Sequence, residues 1–391
     1  MAKVIAPIQF PDDLSVETFL STYWQQRPLL IRNAFKADFF PLEANELAGL
    51  AMEEALESRI VLEHGERPWE LRYGPFSEQD FSALPASHWS LLVQDVDKFV
   101  PEVQALLKHF QFIPDWRVDD IMVSYAEDQG SVGPHVDSYD VFLVQAAGTR
   151  RWKIGAMEDV EGGYLENIDL QILKQFSVQD EWLLMPGDVL YLPPGIPHWG
   201  VAEGECVTCS VGFRAPSHQE MLEDWSQHLL ETGLGRGHFQ DPHLSLQTHS
   251  AEIDAGAFAQ ADEIISRYKL SPAQQRRWFG RLVTRVKDHL EIDPVSPAIS
   301  AETLRLEIMA GRLLSRHPFA RFAFANIDPE TLSLFVCGES IDLQQSDRPV
   351  VLSLCNTSAD TIDLPPAEQL DSRTMAMLVL LYNSGYLLFD D

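Results

Sequence analysis

The sequence predicts a β-rich α+β protein in which a β-sandwich or barrel is followed by a helical region and a small mixed module. Three observations support this class. Between residues 117 and 214, short β-type runs alternate with turn residues, which is typical of sandwiches and barrels. After Pro216 the apolar residues return to helical spacing. From residue 301 onward, helical patterns are combined with one hairpin.

The bulk composition indicates a globular, cytoplasmic protein. A chain of 391 residues with 45% apolar side chains can bury a large core and is expected to form two or three domains. No apolar run approaches the length of a membrane span, so we expect no membrane association. The first residues, MAKVIAPIQFPDDL, lack the features of a secretory signal.

The net charge restricts the possible partners. With 29 Lys and Arg against 59 Asp and Glu, the formal charge is −30. Such a field repels phosphate backbones, so we expect no direct binding to nucleic acid. It favours a basic polypeptide as the partner. High solubility alone is the alternative explanation of the same charge.

The N-terminal part of the chain begins with a predicted helix and strand. In LSVETFLSTYWQQRPLLIRNAF, Ser15 is placed to cap the helix, and a strand follows Pro28. We expect short helices from there to residue 108. The apolar face of the first helix consists of Phe19, Leu20, Tyr23 and Trp24.

The central β region contains four segments of β-type composition. Gly and Pro turns separate them, so each segment is expected to form one or two strands. The segments are WRVDDIMVSYA, YDVFLVQAAGTRRWKIG, WLLMPGDVLYLPPGIPHWG and CVTCSVGF.

Two amphipathic helices are predicted after the β region. The first ends at Gly233, and the second begins with Ser271 as its cap and Pro272 in its first turn. Residues 292–300 have the composition of a linker. Beyond them, LFVCGESIDL predicts a hairpin and the final helix is interrupted at Gly385, which fits a small α+β module such as a winged helix. The two apolar stripes are Met221, Leu222, Trp225 and Leu229, and Trp278, Phe279, Leu282, Val283, Val286 and Leu290.

Two segments of the β region carry candidate metal ligands. In SVGPHVDSYDVFLV, His135 and Asp137 stand two residues apart, so they point to the same side if the segment is a strand. The turns of PGDVLYLPPGIPH would bring His198 in from across a barrel. Two His and one Asp occupy one face of an Fe(II) octahedron and leave three positions open, enough for a bidentate 2-oxo acid and dioxygen. For His198, a surface position after a proline turn is the alternative.

A cation is expected near this triad. In TRRWKI, strand alternation puts Arg150 on the inward face together with Trp152 and Ile154. A buried guanidinium without a partner is costly, so Arg150 is expected to bind an anion such as the distal carboxylate of a 2-oxo acid. A structural Arg paired with a protein carboxylate is the alternative.

The strand DDIMVSY has two possible orientations. If Asp120, Met122 and Ser124 face the cavity, Ser124 can donate to the oxo-acid carboxylate and Asp120 can hold a cationic group of the substrate. The sequence alone leaves the choice open. The opposite face is also a suitable core face, and it consists of Asp119, Ile121, Val123 and Tyr125.

These motifs resemble a known family. GPHVDSYDVFLVQ, the Arg150 position, PGDVLYLPPGIPH and SVGFRAP are together similar to the JmjC-type 2-oxoglutarate oxygenases. HWSLLVQDV, IPDWRVDDIMVSY, RRWFGRLV and LVLLYNSGYLLF extend the likeness to nearly the whole chain. With these segments the chain resembles the bacterial ribosomal oxygenases, which hydroxylate an arginine of the large-subunit ribosomal protein L-sixteen.

The resemblance implies an architecture and an activity. The expected domains are a JmjC oxygenase domain on a double-stranded β-helix (cupin) barrel at 1–216, a helical dimerisation domain at 217–300 and a winged-helix-like domain at 301–391. The implied activity is hydroxylation of the C3 carbon of arginine in a basic ribosomal protein by a homodimer that uses Fe(II), 2-oxoglutarate and dioxygen. The implied site residues are His135, Asp137 and His198 for iron, Ser124 and Arg150 for 2-oxoglutarate, and Asp120 and Met122 for the substrate.

Other functions are compatible with the same motifs. A histidine hydroxylase of another ribosomal protein would share the chemistry, and a JmjC demethylase would release formaldehyde. A zinc cupin usually has more His or Glu ligands than this motif offers. A non-enzymatic acidic binding protein would form no succinate with any substrate.

Overall fold

The computed structural model divides the chain into two compact units, residues 1–215 and 216–391. No helix of the described part is long and apolar enough to cross a membrane. Residues 1–7, the first half of the segment MAKVIAPIQFPDDL in which no secretory signal is expected, lie outside the described part. The described residues are 8–11, 14–36, 38–65, 68–233, 236–242, 244–246, 248–357 and 361–390.

The first unit combines short helices with nine strands among its described residues. Short 3₁₀ helices occupy Ala105–Phe110 and Asp115–Arg117. The α-helices and strands are α1 (Val16–Thr22), β1 (Leu29–Ile31), α2 (Ala44–Leu50), β2 (Ser58–His64), β3 (Pro68–Tyr73), α3 (Glu78–Ser82), β4 (Trp89–Val93), α4 (Val96–Phe99), α5 (Pro101–Gln104), β5 (Val118–Ala126), β6 (Asp140–Ile154), α6 (Glu158–Glu161), β7 (Asp180–Leu184), β8 (Val189–Leu192) and β9 (His198–Phe213).

The strands of the first unit form one antiparallel sheet. Its order is β1-β8-β6-β9-β5-β4-β2-β3, and β7 also pairs with β6. The long strands β6 and β9 are paired along most of their length; the first half of β6 also pairs with β8 and the second half with β7. This is the β-rich α+β fold with a double-stranded β-helix that the sequence predicts.

A bulge in β6 controls which side chains face the inside of the barrel. Between Gln145 and Ala147, β6 advances two residues while β9 advances one. One extra residue reverses the alternation of a strand. Val141 and Leu143 therefore line the inner cavity before the bulge, and Arg150 lines it afterwards. Gly148, whose φ is 61°, is thus part of a bulged, continuous strand and not of a turn.

The main core of the first unit lies on the other face of this sheet. Its largest fully buried side chains are aromatic, and the centroids of neighbouring rings lie 4.9–6.0 Å apart. Each such burial contributes about 1.5–3 kcal/mol, so this cluster fixes the sheet against the N-terminal segments. The rings belong to Phe19, Phe110, Phe142, Tyr191 and Phe213.

The expectation of short helices up to residue 108 is wrong in part. Three strands, β2, β3 and β4, extend the barrel sheet beyond β5. The runs SRIVLEH and WSLLV are too short for their periodicity to distinguish a strand from a buried helix segment. Tertiary pairing decides the outcome, since β4 pairs with β5 and β2 pairs with β4. By contrast, the predicted cap of α1 is confirmed, because Ser15 accepts a hydrogen bond from the N–H of Thr18.

The second unit contains a helical part and two small sheets. Its 3₁₀ helices occupy Gln345–Asp347 and Ala367–Gln369. Strands β11, β12 and β13 form an antiparallel meander, and β10 pairs with β14. The elements are α7 (His218–Glu231), α8 (Ala255–Arg267), α9 (Pro272–Val283), α10 (Ala301–Met309), β10 (Leu314–Arg316), β11 (Phe322–Asn326), β12 (Thr331–Val336), β13 (Glu339–Gln344), α11 (Arg348–Leu354), α12 (Ser372–Asn383) and β14 (Leu387–Phe389).

Helix α9 is fixed to the β11–β13 sheet by arginines. Arg277 forms a bidentate ion pair with Asp342, with Nε 3.1 Å from Oδ1 and Nη2 2.7 Å from Oδ2, and Arg281 donates to the carbonyl of Gly338 at 2.9 Å. Ser271 caps the helix as predicted, and it does so within a capping box that includes Gln274. The helix ends at Val283, earlier than its apolar stripe suggests, and α8 is an additional helix that the sequence analysis does not predict.

Candidate active site

Two backbone segments meet at the mouth of the barrel and bring the candidate metal ligands together. His135 and His198 face each other in an isolated antiparallel bridge, with reciprocal N–H···O bonds of 2.9 and 3.0 Å. The N–H of Gly195 donates to the carbonyl of Asp137 at 2.7 Å. His135 and Asp137 precede β6 rather than forming part of it, so this bridge, and not strand alternation, aligns the two residues.

The same residues have imidazoles oriented for metal binding. Nδ1 of His135 lies 2.9 Å from the carbonyl of Gly133, and Nδ1 of His198 lies 2.9 Å from the carbonyl of Ile196. A carbonyl only accepts hydrogen bonds, so each Nδ1 carries the proton and each Nε2 keeps its lone pair. Both Nε2 atoms are therefore available as ligands.

The carboxylate of Asp137 lies between the two imidazoles. Its oxygens are 3.9 Å from Nε2 of His135 and 3.6 Å from Nε2 of His198. The ligand atoms of all three residues lie within 4.8 Å of one another. Burial, together with the neighbouring His135, lowers the pKa of His198 to about 4, which keeps its imidazole neutral and able to bind a metal at neutral pH.

A cavity of about 230 Å³ extends from this cluster into the barrel. Along the cavity wall, four neighbouring strands each contribute one side chain, and these side chains form a row because their residues are register partners. The row shows that the cavity-facing phase of β5 is the one that contains Met122 and Ser124, whereas Ile121 and Val123 belong to the main core. The row consists of Arg59, Leu92, Ser124 and Thr208.

Arg150 provides a buried positive charge in this cavity. Its side chain is inward-facing and the residue is 3% exposed, the orientation that alternation predicts. Nη1 has two long contacts of 3.4 Å, to the hydroxyls of Ser124 and Thr208. Nε is buried without a hydrogen-bond partner, and within the described part of the chain no carboxylate lies within ion-pairing distance of the guanidinium. The charge is therefore left for a ligand to compensate.

The donor set fits a metal and an anionic cosubstrate. Two imidazoles and one carboxylate are the ligands of the facial triad that binds non-haem Fe(II). In the same cavity, Nε1 of Trp152 is a second buried donor that has no partner among the described residues, and the Trp152 ring lies 5.2 Å from the Arg150 guanidinium. Two unpartnered donors beside one cavity match a ligand that carries acceptors, such as a carboxylate.

Asp120 has a different environment from Met122 and Ser124. It is 4% exposed and is not among the residues that line the cavity. Its Oδ2 accepts a hydrogen bond from the Gln94 amide and another from the backbone N–H of Asp95. These contacts orient the carboxylate at the end of the strand face that carries Met122.

Several cavity residues are absent from the sequence-based prediction. Tyr139 lines the cavity and is 38% exposed; burial and the charges of Asp137 and Asp120 raise the pKa of its hydroxyl. Arg59 and Thr208 also line it. The sequence could have indicated Tyr139 as a cavity residue, because it lies two residues after Asp137. Arg59 depends on the register between β2 and β4, which no sequence pattern provides.

Two family models match the chain. The model described as "JmjC domain" matches residues 105–221, and the model described as "ROXA-like winged helix" matches residues 261–388. The first match includes β5 to β9 and all three candidate metal ligands. The second includes α9 and the β11–β13 sheet to which it is fixed.

Two curated relatives and a solved structure are similar over most of the chain. The "Ribosomal protein uL16 3-hydroxylase" of Escherichia coli is 33% identical over 372 residues, 95% of this chain and 97% of the relative. The "Probable ribosomal oxygenase" of Haemophilus influenzae is 40% identical over 312 residues, 78% of this chain and 70% of the relative. The structure of YcfD, a ribosomal oxygenase from Escherichia coli, in complex with cobalt and 2-oxoglutarate is 32% identical, with a TM-score of 0.82, and the match covers 98% of this chain and 100% of that one.

Proposed function

The chain belongs to the JmjC-domain ribosomal oxygenases, and from this premise we propose that it hydroxylates the C3 carbon of an arginine side chain in the large-subunit ribosomal protein uL16. As an oxygenase of this family it uses 2-oxoglutarate. In the net reaction, one oxygen atom of dioxygen enters the substrate as a hydroxyl and the other enters succinate. The oxidation of 2-oxoglutarate, with loss of carbon dioxide, supplies two electrons.

The observation that carries the oxygenase assignment is the uncompensated charge of Arg150. A guanidinium that is buried in the protein costs several kcal/mol unless an anion pairs with it. Its Nε atom has no partner among the described residues, and the metal-binding cluster lines the same cavity. We assign Arg150 to the distal carboxylate of 2-oxoglutarate, with the Ser124 hydroxyl as a second donor.

The metal-binding residues in this proposal are His135, Asp137 and His198. These three residues would hold Fe(II), which would supply the activation of dioxygen and a binding site for the 2-oxo acid. The protein keeps both imidazoles neutral and oriented through the carbonyls of Gly133 and Ile196. The cavity walls exclude water and position the substrate carbon.

Met122, Tyr139 and Asp120 form the proposed substrate side of the site. Met122 and Tyr139 line the cavity and offer apolar surface to the aliphatic stem of an arginine. The carboxylate of Asp120, oriented by Gln94 and Asp95, would pair with the guanidinium as a fork, a geometry that lysine cannot reproduce. Because Asp120 is buried, this pairing requires the substrate side chain to extend to the part of β5 where Asp120 lies.

The overall charge supports a ribosomal protein as partner. Ribosomal proteins that contact RNA are basic, and a chain with a formal charge of −30 attracts such a partner from a distance. The same charge disfavours nucleic acid itself. We therefore propose that the protein acts in the cytoplasm on uL16 and does not bind RNA directly.

Two peptides test the arginine assignment. One contains the target arginine of uL16 in its natural context, and the other has lysine at that position. With Fe(II) and 2-oxoglutarate, mass spectrometry should show one added oxygen atom on the arginine peptide alone. Asp120→Ala should reduce hydroxylation of the arginine peptide more than it weakens 2-oxoglutarate binding.

The outcomes separate the substrate from the chemistry. Equal hydroxylation of the lysine peptide, or modification of a histidine, would reject the arginine assignment and leave the oxygenase intact. Formaldehyde release from a methylated peptide would instead indicate a demethylase. If Asp120→Ala has no effect on the arginine peptide, the guanidinium is bound by other residues.

A further inference from the structure

A second group of potential metal ligands lies in the first unit, outside the active site. Within the described part of the chain, two groups of three His, Cys, Asp or Glu residues have ligand atoms close enough to share an ion, and the active-site triad is one of them. The other consists of Glu63, His64 and His88, whose ligand atoms lie within 4.8 Å of one another. None of these residues belongs to the cavity described above.

The sheet brings the three residues together. Glu63 and His64 are the last residues of β2, and His88 immediately precedes β4, the neighbouring strand. The N–H of Glu63 donates to the carbonyl of His88 at 3.0 Å, and the imidazole rings of His64 and His88 are 4.9 Å apart between centroids. The cluster thus joins the ends of two paired strands.

The backbone of His88 has an unfavourable conformation that positions its side chain. Its φ of 64° is in the left-handed region, which costs a non-glycine residue about 1 kcal/mol or more. The N–H of His88 donates to the carbonyl of Asp128 at 2.9 Å, and the Ser87 hydroxyl lies 2.8 Å from Nδ1 of the His88 imidazole. Nδ1 is thereby occupied, and Nε2 remains as the ligand atom.

We propose that Glu63, His64 and His88 form a second metal site that binds Zn²⁺. Two imidazoles and one carboxylate are a well-known zinc donor set, and a fourth position remains for water. Around a tetrahedral ion the ligand atoms are roughly 3.4 Å apart, so modest side-chain rotations close the present cluster. The bound ion would link the end of β2 to the start of β4. The negative charge of the chain would favour binding of the cation.

Zinc binding to the full-length chain tests this proposal. Because zinc also competes for the active-site triad, the background is the double variant His135→Ala/His198→Ala, stripped with chelator and titrated with Zn²⁺ by calorimetry. It should still bind one equivalent. Adding His64→Ala or His88→Ala should weaken that binding about tenfold or more. His218→Ala, an exposed histidine on α7, is the matched control and should leave it unchanged.

A second readout is thermal stability. Zn²⁺ should raise the melting temperature of the double variant and have no such effect once His64→Ala is added, since only ligand bound to the folded state stabilises it. His64 is exposed at a strand end, so its replacement keeps the test valid even if His88→Ala fails to fold. If the double variant binds no zinc, or if His64→Ala leaves zinc binding unchanged, the site does not exist.

Discussion

At the scale of single residues, the buried guanidinium of Arg150 is the group proposed to bind 2-oxoglutarate. Arg150→Ala should raise the 2-oxoglutarate concentration needed for half-maximal turnover. A charge-assisted pair is worth roughly 1.5–3 kcal/mol, so the expected increase is roughly 10- to 100-fold. The measurement is turnover against 2-oxoglutarate concentration at a fixed level of substrate protein.

Arg151 is the matched control for this variant. It is the next residue of β6, but it points to solvent and pairs with Glu181 and Glu203 at 2.7 and 2.5 Å. Exposed pairs of this kind contribute little, so Arg151→Ala should leave the 2-oxoglutarate requirement unchanged. If Arg151→Ala raises the requirement and Arg150→Ala does not, the assignment of the inward face of β6 is wrong.

The metal-binding residues lead to a second prediction. Asp137→Ala and His198→Ala should each abolish turnover and lower iron content, because two remaining ligands hold Fe(II) poorly. Circular dichroism should show that the fold is retained, since the ligand segment is also tied by backbone bonds between His135 and His198. Turnover at the wild-type rate in either variant would remove the triad assignment.

At the scale of elements, two helical glycines predict opposite effects on stability. A Cβ on Gly280 of α9 would overlap the buried ring of Phe335, whereas a Cβ on Gly49 of α2 meets nothing within 4 Å. Gly280→Ala should destabilise the protein by about 1–3 kcal/mol. Gly49→Ala should stabilise it by about 0.5–1 kcal/mol. Urea unfolding measures both, and stabilisation by Gly280→Ala would contradict the packing of α9 on the sheet.

The same scale shows which elements could be predicted from the sequence. The cap of Ser15, the strand after Pro28 and the hairpin around Gly338 are signalled by local residues, and each is confirmed. The strands β2, β3 and β4 are not, because their successive pairing onto the edge of β5 decides between helix and strand. Strand pairing also decides that the face of β5 with Met122 and Ser124 is the one that lines the cavity.

The site was predictable in part for similar physical reasons. Burial of Arg150 follows from local alternation in TRRWKI, which is independent of the bulge earlier in the strand. The proximity of His135, Asp137 and His198 depends on a bridge between segments about sixty residues apart, which the turns before His198 suggest only if the segment folds into a barrel. The roles of these residues remain predictions until the variants are measured.

At the scale of the whole molecule, we propose a homodimer formed through the helical region 217–292. Trp225, Trp278 and Phe279 are the aromatic residues of the apolar stripes in this region, but Trp278 is buried within the subunit, where its ring is 4.8 Å from that of Trp225. Other apolar side chains of α7 and α8 are more than half exposed and are better candidates. They are Leu222, Leu230, Phe258 and Ile265.

Sedimentation tests this assembly. The wild-type protein should sediment as a dimer, the commonest homo-oligomer, and Ile265→Asp should shift it toward the monomer because a charge would be buried in the interface. Leu306→Asp on α10, which replaces a similarly exposed leucine outside the region, should leave the dimer unchanged. A wild-type mass of one chain at all concentrations would contradict the proposal.

The domain boundaries also belong to this scale. The chain separates after residue 215, and the match to the winged-helix model begins at residue 261, so it includes α9. The arginines of α9 explain this grouping, because they fix the helix to the β11–β13 sheet. The division at residue 300 remains a prediction that limited proteolysis can examine.

We propose that this chain couples the oxidation of 2-oxoglutarate to hydroxylation of a ribosomal protein. The most direct measurement is succinate production by the iron-loaded protein with a panel of purified ribosomal proteins, with the Asp137→Ala variant as the baseline. Succinate should form in amounts equal to the hydroxylated product when uL16 is present, and should stay at the baseline with the other proteins. Succinate no higher than that of Asp137→Ala with every ribosomal protein would contradict it.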